Sequence, residues 1–230
     1  MRQRLRLVGA VLIGAGVLTL GWVIVVWRWE DPFTALYTHW QQHRLAQQLD
    51  RTFTHFHAVP TPQASPAAER RAIAADARRY RREMHPGEAI GRIVIGRIGL
   101  NMVLVDGTDE GSLKKGPGRD DRTFMPGENR LVYIAGHRTT YLAPFSHIDS
   151  IRRGDSIRLV LPYATFSYRA ERHRVVAATD LSVLRSPRHE LLELQACHPR
   201  FFATHRYLVY ARLVSVQPRH GAVYRLAAGS

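Results

Sequence analysis

The chain has 230 residues, 45% hydrophobic and 23% charged, with a formal net charge of +14 at pH 7 and a single cysteine. That size and apolar content allow one good-sized domain plus extensions, and one cysteine excludes an internal disulfide. The arginines are scattered and no nucleic-acid motif or basic-aromatic strand pattern accompanies them, so no nucleic acid partner is expected. Attraction to an anionic envelope surface and plain solubility are the two uses left for the charge.

In chain order, Leu7 to Trp27 comes first, 21 residues without a charge, which at about 1.5 Å per residue span a roughly 30 Å hydrocarbon core. Arg2, Arg4 and Arg6 would suit a signal peptide, but such apolar regions usually run about 7–15 residues. No small-x-small cleavage site precedes Arg28, and Trp22, Trp27 and Trp29 suit an interfacial aromatic anchor. The reading is an uncleaved single-pass helix over residues 7–27. Three arginines precede it, whereas Arg28 on the far side is followed by Glu30 and Asp31. This bias puts residues 1–6 in the cytoplasm and the remainder outside the cell membrane. A lone cysteine in an oxidising exterior suits an active thiol better than a structural one.

Residues 31–57 hold Trp40, Leu45, Leu49 and Phe53 at mostly helical spacing, which predicts a short amphipathic juxtamembrane helix. Ala58 to Ser65 and Pro66 form a proline-rich extended spacer. Ala67 to Met84 returns to helix formers with six arginines and only a narrow stripe of Ile73, Tyr80 and Met84, so a solvated helix is expected there. His85-Pro86-Gly87 ends it. From residue 89, β-branched and aromatic runs at 91–95, 101–105, 130–135, 156–161, 165–171, 173–179, 190–196 and 207–215 predict about eight strands. Turn signals separate them, with short helical inserts near 109–115 and 142–151. This pattern is mainly β, a closed barrel or a sandwich.

Cys197 ends one apolar run, and His137 ends another in Tyr133-Ile134-Ala135-Gly136-His137-Arg138. A thiol with a pKa near 8.5 is only a few per cent ionised at pH 7, and a neighbouring histidine can act as base or supply positive charge. In an otherwise unperturbed pair the thiolate–imidazolium form is disfavoured by about two pKa units, or roughly 2.7 kcal/mol. Arg206 opens the run Tyr207-Leu208-Val209-Tyr210, where a guanidinium at the strand edge can face Cys197 and hold an oxyanion. Taken singly, Cys197 could be an inert core thiol, His137 is one of twelve histidines, and Arg206 means little. Their shared position at strand ends makes the set a candidate catalytic constellation. Asp106, Asp109 and Glu110 lack calcium-loop spacing, so neither a metal nor any other cofactor is expected.

These segments carry a resemblance. Gly136-His137-Arg138-Thr139-Thr140-Tyr141 with Ala143-Pro144-Phe145, Cys197-His198-Pro199-Arg200-Phe201 with Arg206, and Gly91-Arg92-Ile93-Val94-Ile95 with Gly99-Leu100-Asn101 are similar to segments of sortases, in particular class E sortases. The resemblance covers about residues 89–217. It implies an eight-stranded sortase barrel in which His137, Cys197 and Arg206 are catalytic. It implies that Cys197 attacks the Thr–Gly bond of a carboxy-terminal sorting signal on a surface protein. An amine nucleophile, such as a peptidoglycan precursor, then resolves the thioacyl enzyme. Tyr141 resembles the tyrosine that class E enzymes carry beside the site, where Leu-Ala-x-Thr-Gly is preferred to Leu-Pro-x-Thr-Gly. The family commonly reads Thr-Leu-x-Thr before the cysteine, where this chain reads Glu193-Leu194-Gln195-Ala196. Ala196 therefore lacks a hydroxyl that would orient substrate, which makes it, with Tyr141, a candidate substrate-binding position. The implied organisation is residues 28–88 as juxtamembrane helices and linker, 89–217 as the catalytic domain and 218–230 as a tail. The competing readings are a catalytically silent, membrane-anchored barrel that binds the envelope, and an L,D-transpeptidase, whose Ser-x-Gly-Cys pattern is absent.

Overall fold

Helix α1 (Arg2–Trp29) carries the charge-free run. Its stretch Arg2–Ile24 has a mean hydropathy of 2.3, with none of its described side chains buried, and is long and apolar enough to cross a membrane. Thr19 donates its hydroxyl to the Ala15 carbonyl at 2.8 Å, so the group brings no unmet hydrogen bond into an apolar medium. The computed structural model describes residues 2–29, 32–58 and 65–226. Glu30, Asp31 and residues 59–64 of the proline-rich spacer lie outside the described residues.

Helix α2 (Pro32–His55) buries Leu45 and Leu49 against Ala89, Val103 and Val105, with Phe53 packed beside them. Trp40, expected in that stripe, is exposed and instead lies under the Arg44 guanidinium at 4.8 Å. The face toward the barrel is partly polar. Thr38 donates to the Lys114 carbonyl at 2.9 Å, and Gln42 donates to the carbonyls of Val103 and Lys115 at 3.0 and 2.8 Å. The Val103 amide returns a bond to the Gln42 carbonyl oxygen at 2.7 Å.

Helix α3 (Pro66–Glu83) starts at an N-cap, Ser65, with proline in its first turn, the position where a missing N–H costs nothing. The expected solvated helix is corrected here. Ile73, Ala77 and Tyr80, spaced i, i+4 and i+7 on one face, are buried in the main core. Tyr80 donates to the Ile90 carbonyl at 3.1 Å and stacks edge-on with Phe56 and Tyr163 at 5.6 and 5.9 Å. A narrow stripe suffices because one of its members is a tyrosine whose hydroxyl finds a backbone partner.

The barrel follows as β1 (Ala89–Ile95), β2 (Leu100–Asp106), the short helix α4 (Glu110–Leu113), β3 (Gly118–Arg119), β4 (Leu131–Ala135), β5 (Ser156–Val160), β6 (Ala164–Ala177), β7 (Leu191–His198) and β8 (His205–Pro218), with a two-residue strand β9 (Tyr224–Arg225). The strand order is β6-β5-β1-β2-β3-β4-β7-β8, and β8 pairs back onto β6. This closes an eight-stranded barrel and leaves β9 on the edge of β8. The two runs expected at 165–171 and 173–179 are one strand, bent at a bulge between Ala170 and Arg172, and a bulge adds a residue without ending the pairing. The eighth place is taken by β3, too short to show any periodicity. Buried Arg119 holds it through an ion pair with buried Asp106 and a bond to the Thr123 carbonyl at 2.7 Å.

Along β7, Leu192, Leu194 and Ala196 are fully buried in the barrel core, so by the two-residue period Leu191, Glu193, Gln195 and Cys197 point to the other face. That outer face is covered near its middle by the β6–β7 connection. Val183 and Leu184 of this connection pack on Leu131, Tyr133 and Ala135, and Val183 also packs against Val176, Leu208 and Tyr210. The groove between this connection and the sheet holds the candidate site.

Candidate active site

Strand register brings the three predicted residues together. β4 runs parallel to β7 with Ala135 opposite Gln195, and the Gly136 amide extends the ladder to the Gln195 carbonyl at 3.0 Å. His137 lies two residues beyond Ala135, as Cys197 lies two beyond Gln195, so both leave the sheet at the same level and on the same face. Across the β7–β8 pair Cys197 sits opposite Arg206, and Arg206 in turn sits opposite Val176 of β6. His137, Cys197 and Arg206 line one groove of about 290 Å³, with Tyr133 and Gln195 in its floor and Leu181 in its wall.

The turn after β4 depends on a glycine. A Cβ on Gly136 would lie 2.6 Å from the Phe145 ring, and Phe145 closes the loop by donating its amide to the His137 carbonyl at 3.0 Å. Within the loop Tyr141, Leu142 and Ala143 all have positive φ, at 54°, 59° and 35°. Such backbone costs on the order of 1–3 kcal/mol per residue and persists only where the surroundings over-determine it. Part of that determination comes from α2, since the Tyr141 amide donates to the Thr34 hydroxyl at 3.1 Å.

The His137 ring is held 5.1 Å from the Tyr141 ring, and its Nε2 is buried without a hydrogen-bond partner among the described residues. Burial, chiefly, and the Lys114 charge push its pKa below 6.5 against the pull of Glu110. The neutral imidazole is thus the resting form at neutral pH, ready to take a proton. Arg206 donates from one Nη to the carbonyls of Ala203 and His205 at 2.8 and 3.0 Å, which pins its guanidinium beside Cys197. Cys197 is partly exposed and free. Together these groups offer a nucleophile, a proton acceptor and a fixed cation at one spot, the set an acyl transfer through a thioester needs.

Tyr141 sits on the His137 loop, with the Lys114 ammonium 5.9 Å from its ring. Ala196 is not where the sequence reading put it: its side chain is fully buried in the barrel core, because residue 196 alternates with Cys197, so it does not line the groove. Arg138, a residue not singled out by sequence, bridges three elements. Its Nη1 donates to the Cys197 carbonyl at 3.3 Å and meets His198 Nδ1 at 2.9 Å, while Nη2 donates to Asp149 at 2.7 Å. Its position next to His137 was the only sequence signal for it. Tyr133 and Gln195 also went unread, although counting back by two from Cys197 would have found Gln195.

A closed barrel that presents a thiol, an imidazole and a guanidinium from adjacent strand ends has the architecture of a cysteine acyltransferase. Residues 93–214 match the family model described as Sortase domain, more than half of the chain, and the chain belongs to the sortase family. It is 32% identical over 134 residues to sortase D of Bacillus subtilis (strain 168), a match that covers 56% of this chain and 66% of that protein. Among solved structures it resembles a Clostridium perfringens sortase D5 transpeptidase, with a TM-score of 0.60 and 26% identity over 76% of this chain and 98% of the other. It also resembles sortase E from Streptomyces avermitilis, with a TM-score of 0.53 and 30% identity over 58% of this chain and 93% of the other.

Proposed function

We propose that the protein is a membrane-anchored cysteine transpeptidase that acts on sorting signals of the Leu-Ala-x-Thr-Gly or Leu-Pro-x-Thr-Gly kind. The observation that carries this reading is the cross-strand row of His137, Cys197 and Arg206 in one groove. His137 takes the Cys197 proton, and the thiolate adds to the threonine carbonyl while Arg206 faces the oxyanion. The C–N bond to glycine then breaks, His137 returns the proton to the leaving amine, and a threonyl thioester remains on Cys197. An incoming amine, such as that of a peptidoglycan precursor, gives up a proton to His137 and displaces the thiol to form the new amide. Helix α1 anchors the enzyme with residues 1–6 in the cytoplasm and the barrel, residues 89–217, outside, as the arginines before the apolar run support. The resemblance of the segment around His137 and Tyr141 to class E sortases supports the alanine form of the signal.

The experiment incubates the full chain in detergent micelles with Leu-Ala-x-Thr-Gly and Leu-Pro-x-Thr-Gly peptides and an amine. The expected products are cleavage between threonine and glycine and a new threonyl amide, both lost in Cys197→Ala and reduced by several orders of magnitude in His137→Ala. Absence of Cys197-dependent cleavage and transfer across the panel would refute the reading.

A further inference from the structure

Gln195 lies one side-chain period before Cys197 on the same face of β7, and both line the groove. The Tyr133 hydroxyl donates to Gln195 Oε1 at 2.6 Å. Burial, first, and the nearby Glu193 raise the Tyr133 pKa, so the phenol stays protonated and keeps that donor role. One lone pair of Oε1 is thereby taken and the amide plane is fixed, leaving the second lone pair as an acceptor and both Nε2 hydrogens as donors. A carboxamide held this way complements one residue of an extended peptide backbone, to which it can offer an acceptor for the N–H and a donor for the C=O.

Two residues of strand advance about 6.6 Å at about 3.3 Å each, and an extended substrate advances by the same step. For a signal that lies along β7 with its amino-terminal side toward Gln195, the substrate backbone at Gln195 is two residues before the carbonyl that Cys197 attacks. In the signal this is the residue that precedes x. We infer that Gln195, oriented by Tyr133, is a specificity-determining residue that hydrogen-bonds the backbone N–H of the substrate residue two before the attacked threonine. It thereby selects an unsubstituted amide and rejects an N-alkylated one. Proline, which has no N–H, is the natural residue such a contact disfavours. The inference rests on the sortase reading above, and it places backbone recognition in the groove floor rather than on Tyr141.

The test compares Leu-Ala-x-Thr-Gly with the same peptide N-methylated at alanine. Two quantities are measured on the full chain in detergent micelles: kcat/KM in the active enzyme, and peptide binding by fluorescence anisotropy in Cys197→Ala. One lost hydrogen bond should lower both by about three- to tenfold. The penalty should vanish in Gln195→Leu, shrink in Tyr133→Phe and persist in Tyr141→Phe. An equal penalty with and without the Gln195 side chain, or no penalty in the parent chain, overturns the inference. Loss of all Cys197-dependent turnover with the N-methyl penalty on binding intact would instead overturn the sortase reading and leave Gln195 assigned.

Discussion

Glu193→Gln tests how the groove floor is balanced. Glu193 lies two residues before Gln195 on the same face of β7, is 1% exposed, and has an Oε1 without a hydrogen-bond partner among the described residues. Burial raises its pKa from 4.5 to about 8, against the attraction of Arg172 and Arg174 and with the help of Asp180. The folded state therefore holds a proton that the unfolded state has released between these two values, and stability falls as pH rises through that window. At about 1.4 kcal/mol per pKa unit, the raise corresponds to an upper bound of about 5 kcal/mol lost by pH 8. Glutamine keeps the shape and removes the titration. The variant should match the parent within about 1 kcal/mol at pH 5 and exceed it by about 2–4 kcal/mol at pH 8.5, which for a chain of this length is a rise in Tm of about 4–16 °C. Thermal melts of the full chain in detergent micelles from pH 5 to 9 measure this. Buried Glu190, raised to about 7, adds its own slope to both proteins and cancels in the difference. A difference that stays flat from pH 5 to 9 would refute the reasoning.

Two further substitutions probe the His137 loop. Gly136→Ala places a Cβ 2.6 Å from the Phe145 ring, so the loop must shift. The expected cost is about 1–3 kcal/mol of stability with at least a tenfold loss in kcat, read by melting and by peptide turnover. Arg138→Gln breaks the bridge from the His137 loop to the Cys197 carbonyl, His198 and Asp149. Here kcat should fall about ten- to a hundredfold with KM nearly unchanged, and Arg138→Lys should recover only part of it, because one ammonium cannot reproduce the planar fork. A change confined to KM would argue that Arg138 acts on substrate binding and not on the Cys197 strand.

The barrel was readable from sequence because its strands are β-branched and aromatic runs set off by turn residues, and in some of them the two faces alternate. In β7, for example, fully buried Leu192, Leu194 and Ala196 interleave with groove-facing side chains. Two features hid where local pattern carries no signal. β3 is two residues long and owes its place to the buried Arg119–Asp106 pair, a contact between residues 13 apart. The bulge in β6 looks like a break in sequence because Arg172 falls between the two β-branched and aromatic runs, whereas pairing with β8 continues past it. At the site, the residue types of His137, Cys197 and Arg206 make them candidates, and the register places them side by side. The two residues standing where the family commonly has threonine divide by parity. Ala196 belongs to the core and Glu193 to the outer face, so their replacement is two separate changes, one in packing and one in the electrostatics beneath the groove.

Helix α2 falls where a short amphipathic juxtamembrane helix is expected, over residues 31–57, and its polar bonds fall on two segments that frame the groove. Thr38 and Gln42 hold the carbonyls that end α4 and follow it, at Lys114 and Lys115, and Leu113 of α4 lines the groove. Thr34 holds the Tyr141 amide at the start of the positive-φ run. Each bond to a backbone group is worth only about 1 kcal/mol net, comparable to the cost of one such strained residue. The helix that follows the apolar segment therefore supplies part of the determination that keeps the His137 loop in its strained path. Helix α2 and the His137 loop form one mechanical unit, because the ring of Tyr141, whose backbone α2 holds, is the surface on which the His137 imidazole rests.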